Sequence, residues 1–168
     1  MSETFSRERV LSKIVVFLER FFGDKLLSII LFGSTVYMGF GRDIDLIVVV
    51  DEEIDLYSKF DTEYRLRSRL CLDYRLCGVD IHVMDIDLFK ENLKPSTFLS
   101  GLALGYKILY DRIGIEKQIL DFMEKLVKEK YIIHNKYGSW NISFYAERIL
   151  KRKHYKQDST LKQRLRKN

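Results

Sequence analysis

The 168-residue sequence predicts an α+β domain: a small mixed, largely antiparallel sheet flanked by helices, continued by C-terminal helices and a basic tail. Three observations predict it. Two short apolar runs rich in β-branched residues, Leu26–Phe32 and Ile44–Val50, read as buried strands. The connection between them, residues 33–43, is shorter than the dozen or more residues that a parallel crossover with its helix needs, so the two strands are antiparallel neighbours. Around them, apolar residues recur at helical spacing in several segments.

In chain order, Val10, Leu11, Ile14, Val15, Leu18, Phe21 and Phe22 form one helical stripe, and Gly23 follows where a left-handed cap would stop it. The two strands come next, joined by a turn and a brief helix. Leu56, Phe60, Tyr64, Leu70 and Cys71 suggest a helix over residues 55–72. After Gly78, residues 79–84 alternate, with Val79, Ile81 and Val83 on one face of a third strand and Asp80, His82 and Met84 on the other. Asp85-Ile86-Asp87 precedes Leu88 and Phe89 and reads as a helix N-cap. Pro95-Ser96-Thr97 opens a helix to residue 104, and residues 106–110 form a fourth, edge strand. Ile115, Ile119, Phe122, Met123, Leu126 and Val127 mark a long helix, and a weaker one covers residues 140–156. His134, Trp140 and the neighbouring tyrosines read as helix packing.

With 46% hydrophobic and 32% charged residues and a single proline, the chain can bury a core, and no apolar run approaches the roughly 20 residues of a membrane helix. Glu8, Glu19 and Arg20 interrupt the apolar N-terminal residues, and no small-residue cleavage site follows, so a cytoplasmic protein without membrane contact is expected. Cys71 and Cys77 match neither a zinc knuckle nor Cys-x-x-Cys; they read as reduced packing residues, with a disulfide left open by the count. The net charge of +5 is uneven. Residues 1–147 hold 20 Lys+Arg against 23 Asp+Glu, net −3, whereas residues 148–168 hold 9 Lys+Arg against Asp158, net +8. This divides the chain into a main domain, 1–147, and a basic C-terminal helix or tail, 148–168, which is either a polyanion-binding arm or a solvated terminus.

The segment that carries chemistry is Gly33-Ser34, followed by Asp43-Ile44-Asp45. Residues two apart on a strand share a face, which puts Asp43 and Asp45 about 6–7 Å apart at their α-carbons. Two carboxylates on an apolar strand repel each other and are costly to bury unless a cation sits between them. Mg²⁺, which takes one or two carboxylates and fills its shell with water and substrate phosphates, is the natural partner. A glycine ending a strand where a helix starts lets a phosphate approach backbone N–H groups, and the Ser34 hydroxyl can donate to the same oxygen. Asp80, on the polar face of the third strand, can join the cluster, and three carboxylates beside a phosphate cradle suit two-metal phosphoryl transfer. Arg65 and Arg69, with Arg67 and Arg75 nearby, form either a polyanion-binding face or a solvated helix face balanced by Asp61 and Glu63.

On these residues the chain resembles the DNA polymerase beta-like nucleotidyltransferase superfamily, in particular its small single-domain minimal nucleotidyltransferases. The likeness covers residues 26–110, and Gly105-Tyr106-Lys107-Ile108-Leu109-Tyr110-Asp111 is similar to the family's closing strand. It implies transfer of a nucleoside monophosphate from a nucleoside triphosphate, with ATP expected, to an acceptor hydroxyl with release of pyrophosphate. By the same resemblance Asp43 and Asp45 bind two Mg²⁺ or Mn²⁺ ions, Asp80 ligates the catalytic ion and helps activate the acceptor, and Gly33 and Ser34 hold the triphosphate. The acceptor it suggests is a toxin-like helical protein, with RNA or a small molecule as alternatives. Arg42 stands where the family often has Ser or Thr, Val36 and Tyr37 replace basic residues after Gly-Ser, and the spacer to Asp43 is shorter than usual. Two other readings stay open: a noncatalytic, antitoxin-like nucleotide- or protein-binding module of the same fold, and a polyanion-binding protein acting through its tail. A homodimer paired through the C-terminal helices is compatible with the sequence.

Overall fold

A computed structural model describes residues 2–38, 43–136 and 138–165. They form two compact units: the chain up to Asn92 together with Tyr106–Glu116, and Leu93–Gly105 together with the chain from Lys117 on.

The first unit is the α+β part. Helix α1 (Ser2–Phe22) runs into a short 3-10 turn, Gly23–Lys25, and then strand β1 (Leu26–Phe32). A single helical turn, α2 (Ser34–Tyr37), precedes strand β2 (Ile44–Val50). Helix α3 (Leu56–Tyr74) leads to strand β3 (Val79–Asp85), helix α4 (Ile86–Asn92) follows, and strand β4 (Lys107–Asp111) completes a four-stranded sheet of order β3-β2-β1-β4. β1 is antiparallel to β2, as the short connection requires, and also to β4, while β2 and β3 run parallel across α3.

Alternation decides the faces. Ile29, Leu31, Leu46, Val48, Val50, Val79, Ile81 and Val83 form one core with Leu11, Ile14, Phe17 and Leu18 of α1 and Leu66 and Leu70 of α3. At full burial each such side chain stabilises the fold by about 1.5–3 kcal/mol relative to exposure. The opposite face carries Phe32, Asp45 and Asp80 in one row and Ile30, Ile47 and His82 in the next.

β3 is an edge strand, and α3 protects it. The Asp55 carboxylate caps the helix, accepting from the Tyr57 and Ser58 N–H groups. One helix ridge then holds Lys59, Glu63 and Arg67 at four-residue spacing. Glu63, buried, accepts the Val83 backbone N–H at 2.9 Å and pairs with Lys59, so an edge donor of β3 is closed by a side chain. The helix ends on Arg75, which adopts a left-handed conformation at φ 57°, and the Leu76 N–H returns to the Leu70 carbonyl at 3.0 Å. That reversal brings Cys77 back to Cys71, and the two form a disulfide. The expectation of reduced packing cysteines is corrected here: sequence spacing does not reveal a left-handed cap at a non-glycine residue. Asp85 caps α4 through the Leu88 N–H, as expected.

The second unit contains a 3-10 helix, Phe98–Leu104, most of helix α5 (Ile115–Lys128), a hairpin of β5 (Ile132–Asn135) and β6 (Gly138–Asn141), and helix α6 (Ile142–Leu165). Thr97 stands at the N-cap of the expected 95–104 helix, which is wound as 3-10. The hairpin corrects the reading of His134 and Trp140 as helix residues: Trp140 pairs with Ile133, and His134 lies 2.7 Å from the Ser139 hydroxyl. α6 packs on the 3-10 helix with Ile142, Ala146 and Ile149 buried, and residue 147 lies within it. Among the described residues no helix is long and apolar enough to cross a membrane.

Candidate functional site

The candidate residues converge at one end of the sheet, and register is what gathers them. Phe32 on β1 pairs with Asp45 on β2, which pairs with Asp80 on β3, so the two carboxylates are immediate neighbours on the same face. Asp43, two residues before Asp45, is exposed at the start of β2. The Ile44 N–H donates to the Gly78 carbonyl at 2.8 Å, joining the starts of β2 and β3 just beside the acids.

Gly33 is fixed by two independent constraints. Its φ of 76° and ψ of −169° fall in a region that is essentially glycine's alone. A Cβ built there would also stand 2.0 Å from Asp45 Oδ2 and 2.8 Å from its Cγ. The Asp45 carboxylate therefore occupies the space that any other side chain at position 33 would fill. Gly33 N-caps α2, its carbonyl accepting the Val36 N–H at 3.0 Å, and Ser34 opens that turn, half-buried. Thr35, buried, donates its hydroxyl to the Asp43 carbonyl at 2.6 Å, pinning the bend to the start of β2. Thr35 was not singled out from the sequence; the signal available was a hydroxyl directly after Gly-Ser.

The electrostatics follow from this crowding. The Asp45 carboxyl is pushed above the usual carboxylate range, first by burial, then by the negative charges of Asp80 and Asp43, with His82 opposing. Asp80 is spanned on both oxygens. Arg67 donates to Oδ1 at 2.7 Å, and His82 Nε2 lies 3.6 Å from Oδ2, while the His82 ring sits 5.9 Å from that of Phe32. Arg65, by contrast, pairs with Asp61 at 3.5 Å on the helix surface.

The donor set consists of carboxylate oxygens, which suits a hard divalent cation, and the mutual repulsion at Asp45 is what such an ion would relieve. Two carboxylates suffice for Mg²⁺ when phosphates and water complete the shell, so Asp43 and Asp45 fit it. Among the described residues, however, no group of three or more histidine, cysteine, aspartate or glutamate side chains stands close enough to hold a metal as it is, and Asp80 is committed to Arg67.

No protein-family model matches the chain. Over 135 residues it is 30% identical to a Methanocaldococcus jannaschii protein that bears the provisional name of protein adenylyltransferase, a match covering 73% of this chain and 84% of that protein. Among solved structures it is similar to a chain of the Shewanella oneidensis complex of a tri-AMPylated HEPN toxin with the MNT antitoxin, at 20% identity and a TM-score of 0.47 over 73% of this chain and 88% of that one. It is also similar to an Enterococcus spectinomycin adenyltransferase crystallised with ATP and spectinomycin, at 15% identity and a TM-score of 0.44 over 72% of this chain and 67% of that one.

Proposed function

Because the chain belongs to the nucleotidyltransferase family of its Methanocaldococcus jannaschii relative, we propose that it moves the adenylate of ATP onto a hydroxyl of an acceptor protein, releasing pyrophosphate. The observation that carries this reading is the seating of Asp45 in the space left by the missing Gly33 side chain, between Asp43 and its strand partner Asp80. The relative's name supports adenylate as the group and protein as the acceptor.

In this reading an acceptor oxygen attacks the α-phosphorus, forming one P–O bond as the bond to the β-phosphate bridge breaks and pyrophosphate departs. Asp80 takes the acceptor proton. Gly33 and Ser34 would hold the triphosphate at the bend, and Asp43 and Asp45 would hold Mg²⁺. Magnesium would supply charge neutralisation of the triphosphate and acidification of the acceptor, and Asp80 is the residue that would hold a second ion. The chain's own contribution is positioning: Thr35 and Gly33 fix the bend against β2, so the acids and the triphosphate meet without reorganisation.

Incubating the protein with ATP, Mg²⁺ and its copurifying proteins, and reading intact masses, tests this. The expected result is an increment of one adenylate on an acceptor, absent with Asp43→Ala. Metal-dependent nucleotide binding with no transfer to any protein or RNA would replace this reading with the noncatalytic module.

A further inference from the structure

Asp80, which the reading above gives to a second divalent ion, is already held at its Oδ1 by Arg67 at 2.7 Å. The two residues stand thirteen apart in sequence. α3 packs on the core face of the sheet through Leu66 and Leu70, whereas Asp80 points from the opposite face of β3. Arg67 therefore carries its charge past the edge strand to the acids. Its base is fixed, because Glu63 one turn earlier is buried and bound to the Val83 N–H. The other Asp80 oxygen faces His82 at 3.6 Å, and Asp45 is the neighbouring negative charge.

From this geometry, and resting on the metal-dependent reading above, we propose that Arg67 is a positioning residue that stands in for the second divalent ion, competing with it for Asp80. In the resting protein the guanidinium neutralises the third carboxylate. The ion and the guanidinium cannot both occupy Oδ1, and a dication approaching within about 5 Å of a fixed positive charge is repelled even in water. Arg67 and Asp80 are each over two-fifths exposed, so the pair is cheap to open, as surface ion pairs are. The second ion therefore binds weakly until Arg67 is displaced, and guanidinium is well suited to leave a carboxylate for a phosphate.

Mn²⁺ titration of the purified full chain, followed by the paramagnetic signal of free Mn²⁺ with no nucleotide present, tests the proposal. The wild type is expected to show one Asp43-dependent ion and a weaker second. Arg67→Gln is expected to tighten the second ion about three- to tenfold, Arg67→Lys to stay near wild type, and Asp80→Asn to lose the second ion in either background. A merely structural role for Arg67 predicts the opposite sign, weaker binding once β3 loses its support. Asp43-dependent binding that Arg67→Gln leaves unchanged or weakens overturns the competition and spares the metal site. Absence of any Asp43-dependent ion, also after a nonhydrolysable ATP analogue is added, overturns the metal site itself, and the competition with it.

Discussion

Gly33→Ala should damage this protein in two separable ways. The backbone there sits at φ 76°, ψ −169°, where a side chain costs about 1–3 kcal/mol. The new methyl would also meet Asp45 Oδ2 at 2.0 Å and Cγ at 2.8 Å, and relief requires that side chain to rotate away. An off-rotamer side chain adds about 0.5–1.5 kcal/mol. Total destabilisation by urea unfolding should thus reach about 1.5–4.5 kcal/mol. A double-mutant cycle with Asp45→Ala isolates the second part, because of the three nearest atoms it removes the two closest and leaves the Asp45 Cβ at 3.1 Å. The double variant should be more stable than the sum of the singles by about 0.5–1.5 kcal/mol. Mn²⁺ binding should be lost in Gly33→Ala even where the variant remains folded, since the displaced carboxylate leaves the site. Additivity within about 0.3–0.5 kcal/mol, or unchanged Mn²⁺ affinity, would refute the claim that the glycine exists to seat Asp45.

Asp45→Asn should stabilise the protein at neutral pH in metal-free buffer. The folded pKa of Asp45 is raised, so its ionisation destabilises the fold most fully above that pKa; the advantage of the variant should shrink as pH falls through it toward 3.8, which unfolding curves at a series of pH values will show. Glu63→Ala strips the Val83 N–H of its acceptor and should cost about 1–3 kcal/mol by chemical denaturation, with Glu63→Gln milder. Cys71→Ser with Cys77→Ser opens a short covalent loop and should lower stability by roughly 2 kcal/mol, matched by wild type in reductant. Thr35→Val should weaken Mn²⁺ binding more than it lowers the melting temperature, because the lost bond positions Asp43 rather than the core.

The parts of the fold legible in the sequence are those written in period and loop length. The antiparallel pairing of β1 and β2 followed from a connection too short for a crossover, and the shared face of Asp80 and His82 followed from alternation. The β5–β6 hairpin escaped because β6 is exposed throughout and leaves no apolar pattern to read. Within the site, strand arithmetic put Asp43 and Asp45 together, but it is blind to contacts made past a sheet edge. Arg67 therefore read as one of several surface arginines, and Gly33 as a phosphate-binding glycine rather than as the space that Asp45 enters. Arg67 stands one ridge step from Glu63, but nothing local distinguishes a ridge that wraps an edge strand from one that faces water.

The bond between Cys71 and Cys77 spans the joint between α3 and β3, with Arg67 four residues before its first cysteine and Asp80 three residues after its second. The two members of the ion pair are thus tethered through a short ring as well as through the turn. Opening the ring lengthens the shortest covalent path between them. Reduction of that bond should accordingly loosen the segment that carries both charges, through slack in a hinge.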